Sequence, residues 1–76
     1  MPDHTYKLIE LVGVSANNVD EAIQNAITRA GQTLKGLDWF EVKEVRGTVS
    51  NGRVGQFQVT LKVGFRIMDP SELSGA

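Results

Sequence analysis

The chain predicts an α+β fold, in which a three-stranded antiparallel sheet in the order β-α-β-β partly wraps one helix. Three observations carry this expectation. One stretch, residues 18–36, repeats its apolar residues at helical spacing. Residues 54–68 alternate apolar and polar side chains, as a half-buried strand does. Asn51-Gly52 separates that run from another strand-like run, and Asn-Gly so flanked is the strongest short signal for a two-residue hairpin.

Residues 4–14 read as the first strand. Tyr6, Leu8 and Val12 share one face and Ile9 and Leu11 the other, so both faces carry apolar groups and the strand expects cover on both sides. Ser15 to Asn18 is a polar break. Asn18 followed by Glu21 fits a capping-box-like helix start. Val19, Ala22, Ile23, Ala26, Ile27, Ala30, Thr33 and Leu34 then form one helical stripe. Gly31 weakens this helix by roughly 1 kcal/mol relative to alanine, and Gly36 is a natural residue to end it. The second strand covers residues 38–50. In the third, Phe57, Val59, Leu61, Val63, Phe65 and Ile67 face one way and Gln56, Gln58, Thr60, Lys62, Gly64 and Arg66 the other. The stretch forms one domain over residues 1–76, with 1–4 and 69–76 expected as mobile tails.

A chain of 76 residues buries only about 60% of its unfolded surface, and domains this small usually need a staple. It has no cysteine and one histidine, His4, so disulfides, thiolate metal sites and a structural zinc set are excluded. Oligomerisation is left. The net charge is −1 with acids and bases interspersed, which gives nucleic acid no basic block to bind. No apolar run approaches a membrane span, and the polar start does not resemble a signal peptide. The expected location is cytoplasmic.

The sequence offers little for catalysis. The serines at 15, 50, 71 and 74 fall in breaks, turns or tail, with no base and orienting group spaced to activate them. Glu41 and Glu44, three apart on a strand, are expected on opposite faces and make no acid/base pair. Gly13-Val14-Ser15 before the helix could present free amides to an anion, a weak signal. Arg46 and Arg66 suit a phosphate better, although surface ion pairs with Glu41 or Glu44 would account for arginines equally well.

Trp39 is the most informative residue. Phe40 and Val42 mark the core face of the second strand, so Trp39 falls on the other face with Glu41 and Lys43. An outward indole usually finds a partner, either another subunit or a flat ligand. Centring the hairpin on Asn51-Gly52 pairs Trp39 with Gly64, Glu41 with Lys62 and Val45 with Gln58. A glycine opposite the tryptophan leaves room for a flat object on the indole, and Gln58 offers a donor and an acceptor to an amide-like ring edge. The residues alone favour an interface tryptophan over a ligand-stacking one.

These residues carry a resemblance. Tyr6-Lys-Leu-Ile-Glu-Leu-Val-Gly13, then Leu37-Asp-Trp-Phe-Glu-Val42, Arg46-Gly47, Phe57-Gln-Val59 and Lys62-Val-Gly-Phe-Arg66 resemble the dodecins over nearly the whole chain, from about Tyr6 to Ile67. The resemblance implies a hollow homo-dodecamer with flavins in pairs at two-fold axes, stacked between symmetry-related tryptophans. By it, Trp39 is the stacking residue and Gln58 the glutamine at the pyrimidine edge of the flavin. Arg46 and Arg66 match basic positions for a ribityl phosphate or a second phosphorylated ligand. It further implies FMN or riboflavin as cofactor, coenzyme A as a second ligand, and storage and sequestration of flavin rather than catalysis. A ligand-free self-assembling module and a flavin-dependent redox enzyme are the alternatives.

Overall fold

The computed structural model describes residues 3–68. Of the expected tails, only Asp3 and His4 fall among these residues, exposed ahead of the first strand. The elements are β1 (Tyr6–Ser15), α1 (Val19–Gly31), β2 (Leu37–Ser50) and β3 (Arg53–Arg66). The sheet is antiparallel throughout, in the order β1-β3-β2. The strand with the cleanest alternation is thus the central one, paired on both edges.

Asn18 caps α1, its side-chain oxygen accepting from the Glu21 amide at 2.7 Å. Ala22, Ala26 and Ala30 form the buried stripe, and Ala22 and Ala26 meet Val59, Leu61 and Val63 of β3. Ile9 and Leu11 of β1 pack against this core, as do Ile23 and Ile27 of the helix. The alanines let the helix come close. A Cβ on Gly13 would lie 2.0 Å from the Ala22 carbonyl oxygen, so only glycine fits where β1 passes under α1.

The helix is shorter than its apolar stripe suggests. It ends at Gly31 rather than running to 36, with Gln32 as its C-cap. Glycine lowers helix propensity at the last turn, and the amides of Thr33 and Leu34 both close onto the Ala30 carbonyl. Gly36 does not cap the helix. It takes φ +78°, and its carbonyl accepts from the Arg66 amide at 2.9 Å, which steers the chain into β2.

The hairpin forms as expected. Asn51 and Gly52 have φ of 52° and 72°, and Ser50 pairs with Arg53. Two positive φ values are the mark of a type I′ turn, whose twist matches that of the strands. The register from the turn is not continuous, however. Trp39 pairs with Gly64 and Glu41 with Lys62, as the sequence predicts, but Val45 pairs with Val59 and Arg46 with Gln58. Two offsets cause this: between the Val49–Val54 and Gly47–Phe57 pairs β3 takes an extra residue, and between the Val42–Leu61 and Glu44–Thr60 pairs β2 takes one, Lys43, which restores the register. Such a bulge reverses the faces beyond it. Glu41 and Glu44 therefore lie on the same face, contrary to the alternation argument.

A third irregularity has Asp38 between the Leu37–Phe65 and Trp39–Gly64 pairs. In a regular strand Leu37 and Trp39 would point the same way. The bulge sends Leu37 into the core and Trp39 out.

α1 packs on β1 and β3. Phe40 and Val42 lie on the helix side of β2 as expected, yet both remain exposed. The outer face of β1 is also open: Tyr6, Leu8, Val12 and Val14 are exposed. Within one chain the cover expected on both sides of β1 exists only on the helix side.

Candidate functional site

The outer sheet face gathers all four candidate residues, in two groups. Gln58 and Gly64 are six residues apart on β3 and point the same way, which separates them by about 20 Å along the strand. Trp39 and Arg66 stand at the Gly64 end, and Arg46 pairs with Gln58 at the other.

At the first end the indole lies flat on Gly64. A Cβ built on that glycine would be 2.4 Å from Trp39 Cζ2 and 2.5 Å from both Cε2 and Cη2. Near-equal distances to three consecutive ring atoms place that point on the axis of the six-membered ring. The benzo ring therefore covers the glycine face-on. This revises one expectation. The space over Gly64 is filled by the indole itself rather than kept for a ligand, and the available ring face is the one turned away from the sheet. Trp39 is 42% exposed. Gly64 is buried beneath it, between Trp39 on β2 and Leu8 on β1.

Tyr6 stands beside the indole on β1, with ring centroids 4.9 Å apart and planes at 66°. The phenol is held toward its neutral form, its pKa raised by partial desolvation and then by a side-chain hydrogen bond to Asp38 and that carboxylate's charge. Arg66, which pairs with Tyr6 across the strands, opposes that shift. Arg66 Nη1 lies 3.4 Å from His4 Nδ1, and Nη2 donates to Met68 Sδ at 3.2 Å.

At the other end Arg46 Nε donates to Gln58 Oε1 at 3.0 Å. The guanidinium also lies 3.8 Å from Glu44, an exposed pair worth at most about 1 kcal/mol. The arginine fixes the Gln58 amide by its oxygen and leaves the NH₂ group as a donor toward the open face. The Lys43 bulge makes this contact possible. Without it Arg46 would face the helix side.

The anion reading of Gly13-Val14-Ser15 is not supported. Gly13 is inside β1, and Ser15 Oγ accepts from the amides of Asn17 and Asn18 at 2.9 and 3.3 Å. The hydroxyl in turn donates to Glu21, which Asn17 Nδ2 also holds at 2.7 Å. Those amides serve the helix start. A hollow of about 510 Å³ lies away from Trp39, between the β1 edge and α1, and is lined by Leu11, Val12, Ala26, Arg29 and Leu34 among others. No cluster of acids and histidines among the described residues could hold a metal ion, and no helix among them is long and apolar enough to cross a membrane.

Tyr6, the ring partner of Trp39, is not legible as such in the sequence. The Lys43 bulge did leave a trace: Val42 and Val45 are three apart in a row that otherwise steps by two.

The family model described as Dodecin matches residues 5–68. The chain belongs to the dodecin family. A dodecin of Thermus thermophilus is 55% identical over 62 residues, covering 82% of this chain and 90% of the relative. The solved dodecin of Streptomyces coelicolor superposes with a TM-score of 0.87 at 54% identity, covering 91% of this chain and 99% of that one. That of Streptomyces davaonensis also gives 0.87, at 53% identity, covering 90% and all of its chain. The three-stranded antiparallel sheet with one helix is thus the fold of this family.

Proposed function

We propose that this dodecin is a cytoplasmic flavin-binding storage and sequestration protein that does not turn its ligand over. Family membership supports flavin binding in general, and one observation carries the local argument. The sole tryptophan lies flat on a buried glycine with its other face outward. A bound flavin would supply a planar, photoexcitable ring system. Trp39 offers it an electron-rich face for stacking and for quenching by electron donation. Gln58 offers an oriented NH₂ donor for a ring carbonyl.

Since Trp39 and Gln58 of one chain are about 20 Å apart along β3, one isoalloxazine cannot touch both. The site is composite, with Trp39 of one copy meeting Gln58 of another, and it forms only on assembly. The homo-dodecamer suggested by the resemblance supplies such a junction. Arg66 at the tryptophan end and Arg46 at the glutamine end carry the charge that suits a phosphate, either that of FMN or that of a second ligand such as coenzyme A.

Fluorescence titration with FMN tests the reading, with particle size followed in parallel. Trp39→Ala leaves the assembly intact, weakens binding at least about tenfold (about 1.4 kcal/mol) and restores flavin emission. Gln58→Ala weakens binding but keeps most of the quenching. If Trp39→Ala dissolves the assembly and binds FMN normally once reassembled, Trp39 is an interface anchor and the proposal fails. Paired titrations with FMN and riboflavin assign the arginines. Arg46→Ala and Arg66→Ala cost FMN more than riboflavin, since charge-assisted bonds to phosphate contribute roughly 1.5–3 kcal/mol each. Equal losses for the two ligands would reassign them to assembly.

A further inference from the structure

Trp39 has no covalent reason to lie flat. A surface indole on a strand samples several χ1 and χ2 combinations, and one lifted off Gly64 would present an edge rather than a face. Gly64 removes the obstacle beneath the ring, but a floor does not stop the ring from rotating away. On the neighbouring strand Tyr6 closes that side. Its ring stands at 66° to the indole with centroids 4.9 Å apart, within the range of attractive inclined aromatic pairs. Asp38 is the bulge residue that turns Trp39 outward.

We propose that Tyr6 is a positioning residue, which holds the Trp39 indole flat on Gly64 by its inclined ring contact, and so sets the plane on which a flat ligand stacks. The last clause rests on the flavin-binding reading. The positioning itself does not, and the two separate by experiment. Trp39 is the only tryptophan and Tyr6 the only tyrosine, so tryptophan-selective excitation reports on this one ring. The measurement is time-resolved fluorescence anisotropy of Trp39 in the assembled, ligand-free protein, followed by FMN titration of the same samples.

In the wild type the anisotropy decays with the particle alone. Tyr6→Leu adds a fast local component and raises the FMN Kd about three- to tenfold at unchanged particle size. Tyr6→Phe keeps the ring, and with it the wild-type anisotropy decay and an affinity within about twofold. A Tyr6→Leu protein whose Trp39 is as immobile as in the wild type overturns the proposal. Should Tyr6→Leu not assemble, Tyr6→Met, which keeps bulk without a ring, decides: a fast component supports the ring contact, and its absence overturns it. If the wild type does not bind FMN while the anisotropy results hold, the flavin reading fails and the positioning role stands.

Discussion

Glu21 shows how a single carboxylate can serve the fold without serving the site. Its amide is capped by Asn18, and its carboxylate receives Ser15 and Asn17. Those hydrogen bonds, Ser15's first, hold its pKa below the usual carboxylate range. A group depressed in the folded state contributes stability that is fully present above its unfolded pKa, about 4.3, and is lost as pH falls through the lower folded value. Thermal melts of wild type and Glu21→Gln at equal protomer concentration therefore differ most near neutral pH and converge in acid. A difference that stays constant or grows toward acid would contradict the assignment. The same scale shows what the sequence discloses about the site. Trp39 is readable as outward because Phe40 and Val42 mark the inner face, and Gly64 is readable as its partner from the turn. Tyr6 is not readable as a neighbour, because β1–β3 pairing is set by tertiary packing and no turn residue announces its register.

The elements are legible where local chemistry decides them and less so where packing does. Asn51-Gly52 specifies the hairpin because its turn needs two positive φ values. The helix end is less legible, because an apolar stripe continues through Thr33 and Leu34, whereas Gly31 and the closing of two amides onto Ala30 stop the regular turns. The Lys43 bulge is hidden because alternation counts assume one residue per step. Where β1 passes under α1 the fit is tight enough to test. Gly13→Ala puts a methyl against the Ala22 carbonyl at 2.0 Å, and a backbone obstacle cannot rotate aside. The expected cost is at or above the upper part of the roughly 1–3 kcal/mol typical of overpacking. Gly31→Ala is the control. Its nearest neighbour would be Leu37 Cδ1 at 3.9 Å, and it should be neutral or stabilise by up to about 1 kcal/mol. Denaturant midpoints at fixed protomer concentration measure both. Equal midpoints for the two variants would mean that the helix moves freely over β1.

The whole molecule is too extended to be at rest alone. A compact chain of this length has a radius of gyration of about 11 Å, whereas this one has 15.7 Å and extents of 55 × 21 × 15 Å. The excess follows from the sheet order. β1 pairs with β3 only as far as Phe57, so the turn end of the β2–β3 hairpin projects as a two-stranded ribbon, and an isolated ribbon is marginal in water. Its valines are open, Val49 at 75% and Val54 at 58% exposure, as are the outer face of β1 and the hollow beside α1. The outer face of β1 places Tyr6 and Leu8 beside the outward tryptophan and its glycine, so contacts that complete the fold there also complete the composite ligand site. Folding, assembly and ligand binding are then one linked equilibrium. The expected species at low-micromolar protomer is a particle about twelve times the 8.3 kDa chain, with no folded monomer beside it, and dilution should lower the melting temperature. Val49→Glu places a charge on the most exposed of these valines and should shift native mass toward smaller species, with loss of secondary structure rather than release of folded chains. Light scattering and native mass spectrometry read the size, and circular dichroism the fold. A folded monomer as the main wild-type species would separate assembly from folding. It would also leave Trp39 and Gln58 with no second copy through which to meet on one ligand.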